Sequence, residues 1–217
     1  SPRIKKRYRT LYSGVFYDRF ILGKWTAASG LVYPMFDEKL HVFSNAKECS
    51  RYVISCDYGT VNPSSFGLWG LCGDVWHRLG EYYYDSSREG SSRTDEEHYA
   101  ALESLAGEKR IEAVIVDPSA ASFIECIRRH GKFPVIPAKN EVLSGIRRVS
   151  DALRNKKILF HESCKDCIRE FALYSWDCKG SDNPQKENDH AMDDVRYFVA
   201  YAMEKENDGF FVASLKR

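Results

Sequence analysis

Five side chains in this sequence have the types and spacing to build an acidic site. Asp57 closes the run Arg51-Tyr-Val-Ile-Ser-Cys-Asp57, and Asp117 closes Ile111-Glu-Ala-Val-Ile-Val-Asp117. Each acid therefore sits at the carboxyl end of a short, mostly apolar, strand-like segment. In open α/β sheets that end is where ligands bind, so two acids placed this way are candidates for one site. The segment 189–197, Asp-His-Ala-Met-Asp-Asp-Val-Arg-Tyr, supplies the rest. At about 100° per residue, Met192, Val195, Phe198, Val199 and Ala202 form one apolar stripe, while His190, Asp193, Asp194 and Tyr197 share the opposite face.

If the two strands and this helix converge, their carboxylates need a cation or raised pKa values, because unpaired like charges in a cleft are costly. An oxygen-rich donor set suits Mg²⁺ or Mn²⁺. Two such ions bridged by an aspartate orient water and neutralise the leaving oxygen. Asp57 is placed to bridge, Asp117 and Asp193 complete the trio, and His190 or Asp194 is a further ligand or proton-handling neighbour. Taken singly, each acid also reads as a turn, helix-start or surface carboxylate. A polyanionic substrate would need basic residues nearby. Lys139, Arg147 and Arg148, with Lys132, Arg154, Lys156 and Lys157, concentrate after Asp117, and Lys179 and Lys186 precede His190. Gly59, just after Asp57, permits a tight turn and close backbone approach.

The elements that must carry these residues follow from pattern. Three sequential antiparallel strands are expected over 51–84, with Gly73-Asp74 as a hairpin turn. A helix from Thr94 to Ala106 is stopped by Gly107. The Asp117 strand is followed by a helix to Arg129 with Ser119 as candidate cap, a short strand over 133–137, and a helix over 141–153. A strand over 157–160, a helix over 166–174, a loop or exposed hairpin over 176–188 and a last helix over 189–205 complete the series. The order implies an α/β fold, a mixed sheet covered by helices.

The charge sum, 32 basic against 31 acidic residues, excludes a polybasic coat protein but not an enzyme with a local basic groove. No run of about 18 apolar residues appears, so no membrane span is expected. The seven cysteines favour a reducing compartment over a disulfide scaffold. Cys164 and Cys167, with His161 and Cys178, match no strong zinc template and read as the start of an amphipathic helix. A phosphate-binding Gly-x-x-x-x-Gly-Lys-Ser/Thr loop is absent, as are Gly-x-Gly-x-x-Gly and Gly-x-Ser-x-Gly. Residues 1–48 carry five basic residues among the first nine and many aromatics without a period, which suits a tract that wraps a neighbouring domain.

The Asp57 strand, the Val-Asp117-Pro strand end and the Asp-His-Ala-x-Asp-x-x-Arg-Tyr helix resemble the nuclease domain of tailed-bacteriophage large terminase subunits, especially the SPP1-like group. Phe20-x-x-Gly-Lys-Trp25 and Gly30-Leu-Val-Tyr-Pro-x-Phe-Asp37 also resemble the tract that leaves the ATPase domain in that family. The resemblance implies a ribonuclease H-like fold with a central mixed sheet, two divalent metal ions, and catalytic roles for Asp57, Asp117, Asp193 and His190. Asp194 stands where family members commonly have Ala. It further implies cutting of concatemeric viral double-stranded DNA during packaging, with residues 1–48 linking a preceding ATPase domain to a nuclease domain at 49–217. The expected partners are that ATPase domain, a portal protein and a small terminase subunit, in the host bacterial cytoplasm and transiently at the procapsid portal. A junction resolvase or other ribonuclease H-like nuclease, and a noncatalytic DNA-binding assembly module, are the alternatives.

Overall fold

The computed structural model describes residues 30–45, 48–177 and 183–214, with side chains in the final helix as far as Met203. Its centre is a seven-stranded mixed sheet. The strands are β1 (Val42–Phe43), β2 (Arg51–Asp57), β3 (Ser64–Cys72), β4 (Val75–Tyr84), β5 (Ile111–Val116), β6 (Val135–Pro137) and β7 (Ile158–His161). Their order across the sheet is β1-β7-β4-β3-β2-β5-β6. The expected three-strand meander is present: β2 with β3 and β3 with β4 are antiparallel, and Gly73, at φ 64°, makes the turn between Cys72 and Val75. β5 and β6 then extend the β2 edge in parallel, and β7 and β1 extend the β4 edge in parallel.

The helices are α1 (Glu38–His41), α2 (Ser86–Glu89), α3 (Asp95–Ala106), α4 (Ala121–His130), α5 (Val142–Arg154), α6 (Lys165–Leu173) and α7 (His190–Ser214). The alternating faces of each strand explain the layering. Ile54 and Cys56 of β2, with Phe66 and Leu68 of β3, bury one face against α3 and α4 through Leu102, Phe123 and Ile127. Val53, Trp69 and Phe160 bury the other against α5, α6 and α7 through Leu153, Phe171 and Phe198. No helix among the described residues is long and apolar enough to cross a membrane.

Several local expectations are revised. Ser119 does not cap α4: its amide donates to the Asp117 carboxylate at 2.7 Å, and the helix starts two residues later behind Ala120. The polar stretch 86–93, which on its composition reads as a loop, contains the short α2, capped by Asp85. Cys49 and Cys72 form a disulfide, because antiparallel pairing of β2 with β3 carries the residues flanking Arg51 and Leu71 together. Cys164 and Cys167 are buried thiols, and Cys178 lies outside the described residues. The first tract is built into the domain over its described part: Val32 and Tyr33 are core residues, and Val42–Phe43 pairs with β7.

One buried ion pair crosses the layers. Arg78 of β4 lies under α7 with both guanidinium nitrogens on Asp194, one of them at 3.0 Å, and neither side chain reaches solvent. Ser55 donates to the same carboxylate at 3.1 Å, and Ser65 donates to it as well. Removing one member of such a pair strands a buried charge, whereas an exposed pair such as Arg51–Glu112 contributes little. Arg78→Met is therefore expected to lower the unfolding free energy by about 3–5 kcal/mol and Arg51→Met by at most about 1 kcal/mol. Urea titration of the two variants measures both, and equal losses would refute the assignment.

Candidate active site

β2 and β5 run parallel with Cys56 opposite Val116, so the next residues, Asp57 and Asp117, leave the sheet side by side. α7 crosses this end of the strands and brings His190 and Asp193 to the same rim. His190 Nδ1 lies 2.9 Å from Asp57 Oδ2. Tyr197, two turns further along α7, donates its hydroxyl to Asp117 Oδ2 at 2.8 Å. Asp57, Asp117, Asp189, His190 and Asp193 line one open cavity of about 260 Å³, with Lys186 at its edge. The Gly59 turn closes this rim through Ser64, whose hydroxyl accepts from the Gly59 amide and donates to its carbonyl. A Cβ on Gly59 would stand 2.5 Å from the Asn62 carbonyl oxygen, so the expected close approach is real.

The electrostatics of the rim follow from crowding. Burial pushes the Asp57 pKa up to about 6, with the Asp193 charge adding to it and the His190 hydrogen bond opposing it. Burial works against the His190 cation, but the hydrogen bond and charge of Asp57 outweigh it and raise the imidazole pKa. Asp189 is raised by burial and by the charge of Asp193. Asp117 goes the other way: burial disfavours its anion, yet hydrogen bonds from Ser119 and Tyr197 hold its pKa below the usual carboxylate value. Arg196 Nη2 pairs with Asp193 Oδ1 at 2.7 Å and anchors itself on the Asn140 carbonyl at 2.8 Å. Its stem passes so close to Gly145 of α5 that a Cβ there would overlap it.

Four carboxylates and one imidazole line a single cavity, and as a donor set they have the chemistry a hard divalent cation takes: oxygen-rich, with raised proton affinities at Asp57 and Asp189 that a positive charge would relieve, although among the described residues no three of them bring ligand atoms within 4.8 Å of one another. Asp194 is not part of it. Next to Asp193, and so turned about 100° round the helix, it points down into the sheet, where Arg78, Ser55 and Ser65 occupy its oxygens. The helical projection put Asp194 on the same face as His190, but the partner beneath α7 decides otherwise.

Among the basic residues, Lys186 reaches the cavity. Lys139 is exposed on the loop after β6, next to Asn140, while Arg147 and Arg148 lie half-buried on α5 away from the cavity lining. Lys179 lies outside the described residues. Lys132 and Arg154 are engaged with Glu103 and Asp151. Sequence reasoning missed Asp189 as a lining residue, although its spacing of four from Asp193 on one helix was the available signal. It also missed the Tyr197 contact with Asp117, which no local pattern announces. A mixed donor trio, Glu96, Cys126 and His130, does occur on α3 and α4, away from the residues of the unsupported zinc set.

Comparison with known proteins agrees with this architecture. The sequence profile described as the Terminase RNaseH-like domain matches residues 59–202. The large terminase of a thermophilic bacteriophage, solved in complex with ADP, superposes with a TM-score of 0.85 at 47% identity, over 92% of this chain and 51% of that one. The large terminase subunit of Escherichia phage T5 is 25% identical over 211 residues, 90% of this chain and 47% of its own length. The large terminase nuclease domain of bacteriophage SPP1, solved with bound Mn, shares the fold at a TM-score of 0.56 and 17% identity, over 77% of this chain and 97% of that one. The chain thus spans about half the length of the full-length relatives it matches. With its mixed seven-stranded sheet and flanking helices, the chain belongs to the terminase RNaseH-like domain family.

Proposed function

We propose that this chain is the metal-dependent endonuclease portion of a phage large terminase subunit, cutting concatemeric double-stranded viral DNA during genome packaging. The observation that carries this reading is the convergence of Asp57, Asp117, Asp193 and His190 on one open cavity. In the proposal Asp57, Asp117 and Asp193 would hold two divalent ions, Mg²⁺ or Mn²⁺. When bound, such ions activate water and stabilise charge on the phosphoryl and leaving oxygens. The protein's own part is orientation and charge. Tyr197 and Ser119 hold the Asp117 carboxylate in its ionised form, Arg196 orients Asp193, and His190 holds Asp57 and is positioned to accept or return a proton. Lys186, exposed at the cavity edge, engages a DNA phosphate, and Lys139 is a second candidate contact on the outer surface.

The larger setting belongs to the same proposal. Residues 1–48 would follow an ATPase domain of the same polypeptide, with their described part already packed into the nuclease domain that continues over 49–217, consistent with the ADP complex and about double length of the thermophilic phage protein. Portal protein and small terminase subunit are the proposed partners, and the host cytoplasm and the procapsid portal the proposed places of action.

The reading is tested by cleavage of supercoiled and linear duplex DNA in Mn²⁺, Mg²⁺ and EDTA. Cutting should require metal, fall to background in Asp57→Asn, Asp117→Asn and Asp193→Asn, and fall by about 100-fold or more in His190→Ala. Full activity in any aspartate variant removes that residue from the site, and preference for branched over linear duplex points to a junction resolvase instead. Lys186→Glu should weaken DNA binding and lower the slope of log affinity against log salt; an unchanged slope sinks that contact.

A pH dependence also follows. Because the folded Asp57 pKa, about 6, lies above its unfolded value, the stability it contributes is full below the unfolded pKa and is lost as pH rises through the folded one. A cation replaces the proton, so Mn²⁺ should raise the Tm at pH 7 and do so much less at pH 5, where the proton competes. Scanning fluorimetry with and without Mn²⁺ at the two pH values measures this, and an equal shift at both would contradict it.

A further inference from the structure

We propose that Glu170 of α6 is a positioning residue for this site, acting through the first turn of α7; the inference rests on the nuclease reading for its functional consequence. Glu170 is fully buried, in a helix whose neighbouring inward residues, Cys167 and Phe171, are ordinary core. A carboxylate there is costly, and an apolar side chain would pack at least as well on burial alone. What the carboxylate does is take an amide from another element. Its Oε2 accepts from the Ala191 N–H at 2.7 Å, and Oε1 accepts from the Tyr83 hydroxyl at 2.7 Å, with Arg169 Nη2 at 3.7 Å from that oxygen.

The first turn of any helix has amides without intrahelical partners, usually met by a side chain one to three residues away. α3 is an example, with Thr94 and Glu97 in a reciprocal capping box. In α7 the Ala191 amide is instead taken by a residue 21 positions earlier in the chain, on a helix packed beneath. Ala191 stands between His190, whose ring meets Asp57 at 2.9 Å, and the Asp193 turn. Tyr83 brings the same carboxylate into contact with β4. The first turn of α7 is thereby referenced to the sheet, and with it the placement of His190 against Asp57. Placement errors of an ångström at a reacting centre cost up to about 100-fold in rate.

Two variants separate positioning from bulk stability. Glu170→Met keeps the volume and removes the acceptor; Glu170→Gln keeps an oxygen that can accept from Ala191. Glu170→Met leaves the Ala191 amide and the Tyr83 hydroxyl without their acceptor and should lower the Tm modestly, yet stay folded with its DNA affinity at the assay temperature while the metal-dependent cleavage rate falls by roughly 10- to 100-fold. Glu170→Gln should stay close to the wild-type rate. Hydrogen exchange at the Ala191 amide, read independently of cutting, should be faster in Glu170→Met and near wild type in Glu170→Gln. Wild-type cleavage by Glu170→Met, or loss in both variants that tracks a fall in Tm, overturns the inference. If the wild-type chain itself does not cut, the nuclease reading falls, and unchanged Ala191 exchange in Glu170→Met would independently overturn the clamp.

Discussion

The position of α7 depends on a charge that has nowhere else to go. Arg78 projects from the middle of the sheet into the buried layer beneath the helix, its guanidinium 5.6 Å from the centre of the Trp69 ring and 3.7 Å from Glu81. Gly67 of the adjacent strand makes the room, since a Cβ there would overlap the guanidinium. A cation in such a place must be matched by an anion of fixed position, and Asp194 is that anion. A shift of α7 by one residue would pull the two charges apart while both stay buried. The pair thus selects one register for the helix, and that register sets which residues reach the rim.

The acidic rim is a consequence of the same constraint. With Asp194 turned down, Asp193 on the next radial direction turns towards the strand ends, and His190 and Tyr197, one turn before and one turn after it, meet Asp57 and Asp117. Parallel pairing of β2 with β5 has already placed those two acids side by side. Counter-charges are supplied on the flank away from the cavity, by Arg196 with its carbonyl anchor on Asn140. The result is a rim that is over-supplied with carboxylate towards solvent and balanced beneath, which is the electrostatic condition for holding hard cations.

Much of the fold could be read directly from the chain. The meander, the alternation of strands and helices after it, and the two strand-end aspartates are local facts: apolar runs bounded by turn residues and a Gly-Asp hairpin, each visible within about ten residues. The final helix and its mixed face were equally legible, because the 3.6-residue period is written into 189–202. What could not be read were matters of partner. Val42–Phe43 is too short to announce a strand, Cys49 and Cys72 become neighbours only through strand register, and Ser119 is drawn into a turn by the Asp117 carboxylate while α4 starts behind Ala120 without a side-chain cap.

The adjacent pair Asp193 and Asp194 shows the division most clearly. Sequence alone determined that two carboxylates sit on the polar side of an amphipathic helix, that two more end core strands, and that together they make an oxygen-rich set suited to a divalent cation. Tertiary structure decided which of the pair faces the cavity and which is buried as a counter-ion, that Asp189 joins the lining, and that Tyr197 touches Asp117. Helical periodicity constrains direction to within a face, whereas the choice within that face depends on where an opposite charge waits across the interface. Arg78 lies 116 residues away in the chain, and only folding brings it beneath Asp194.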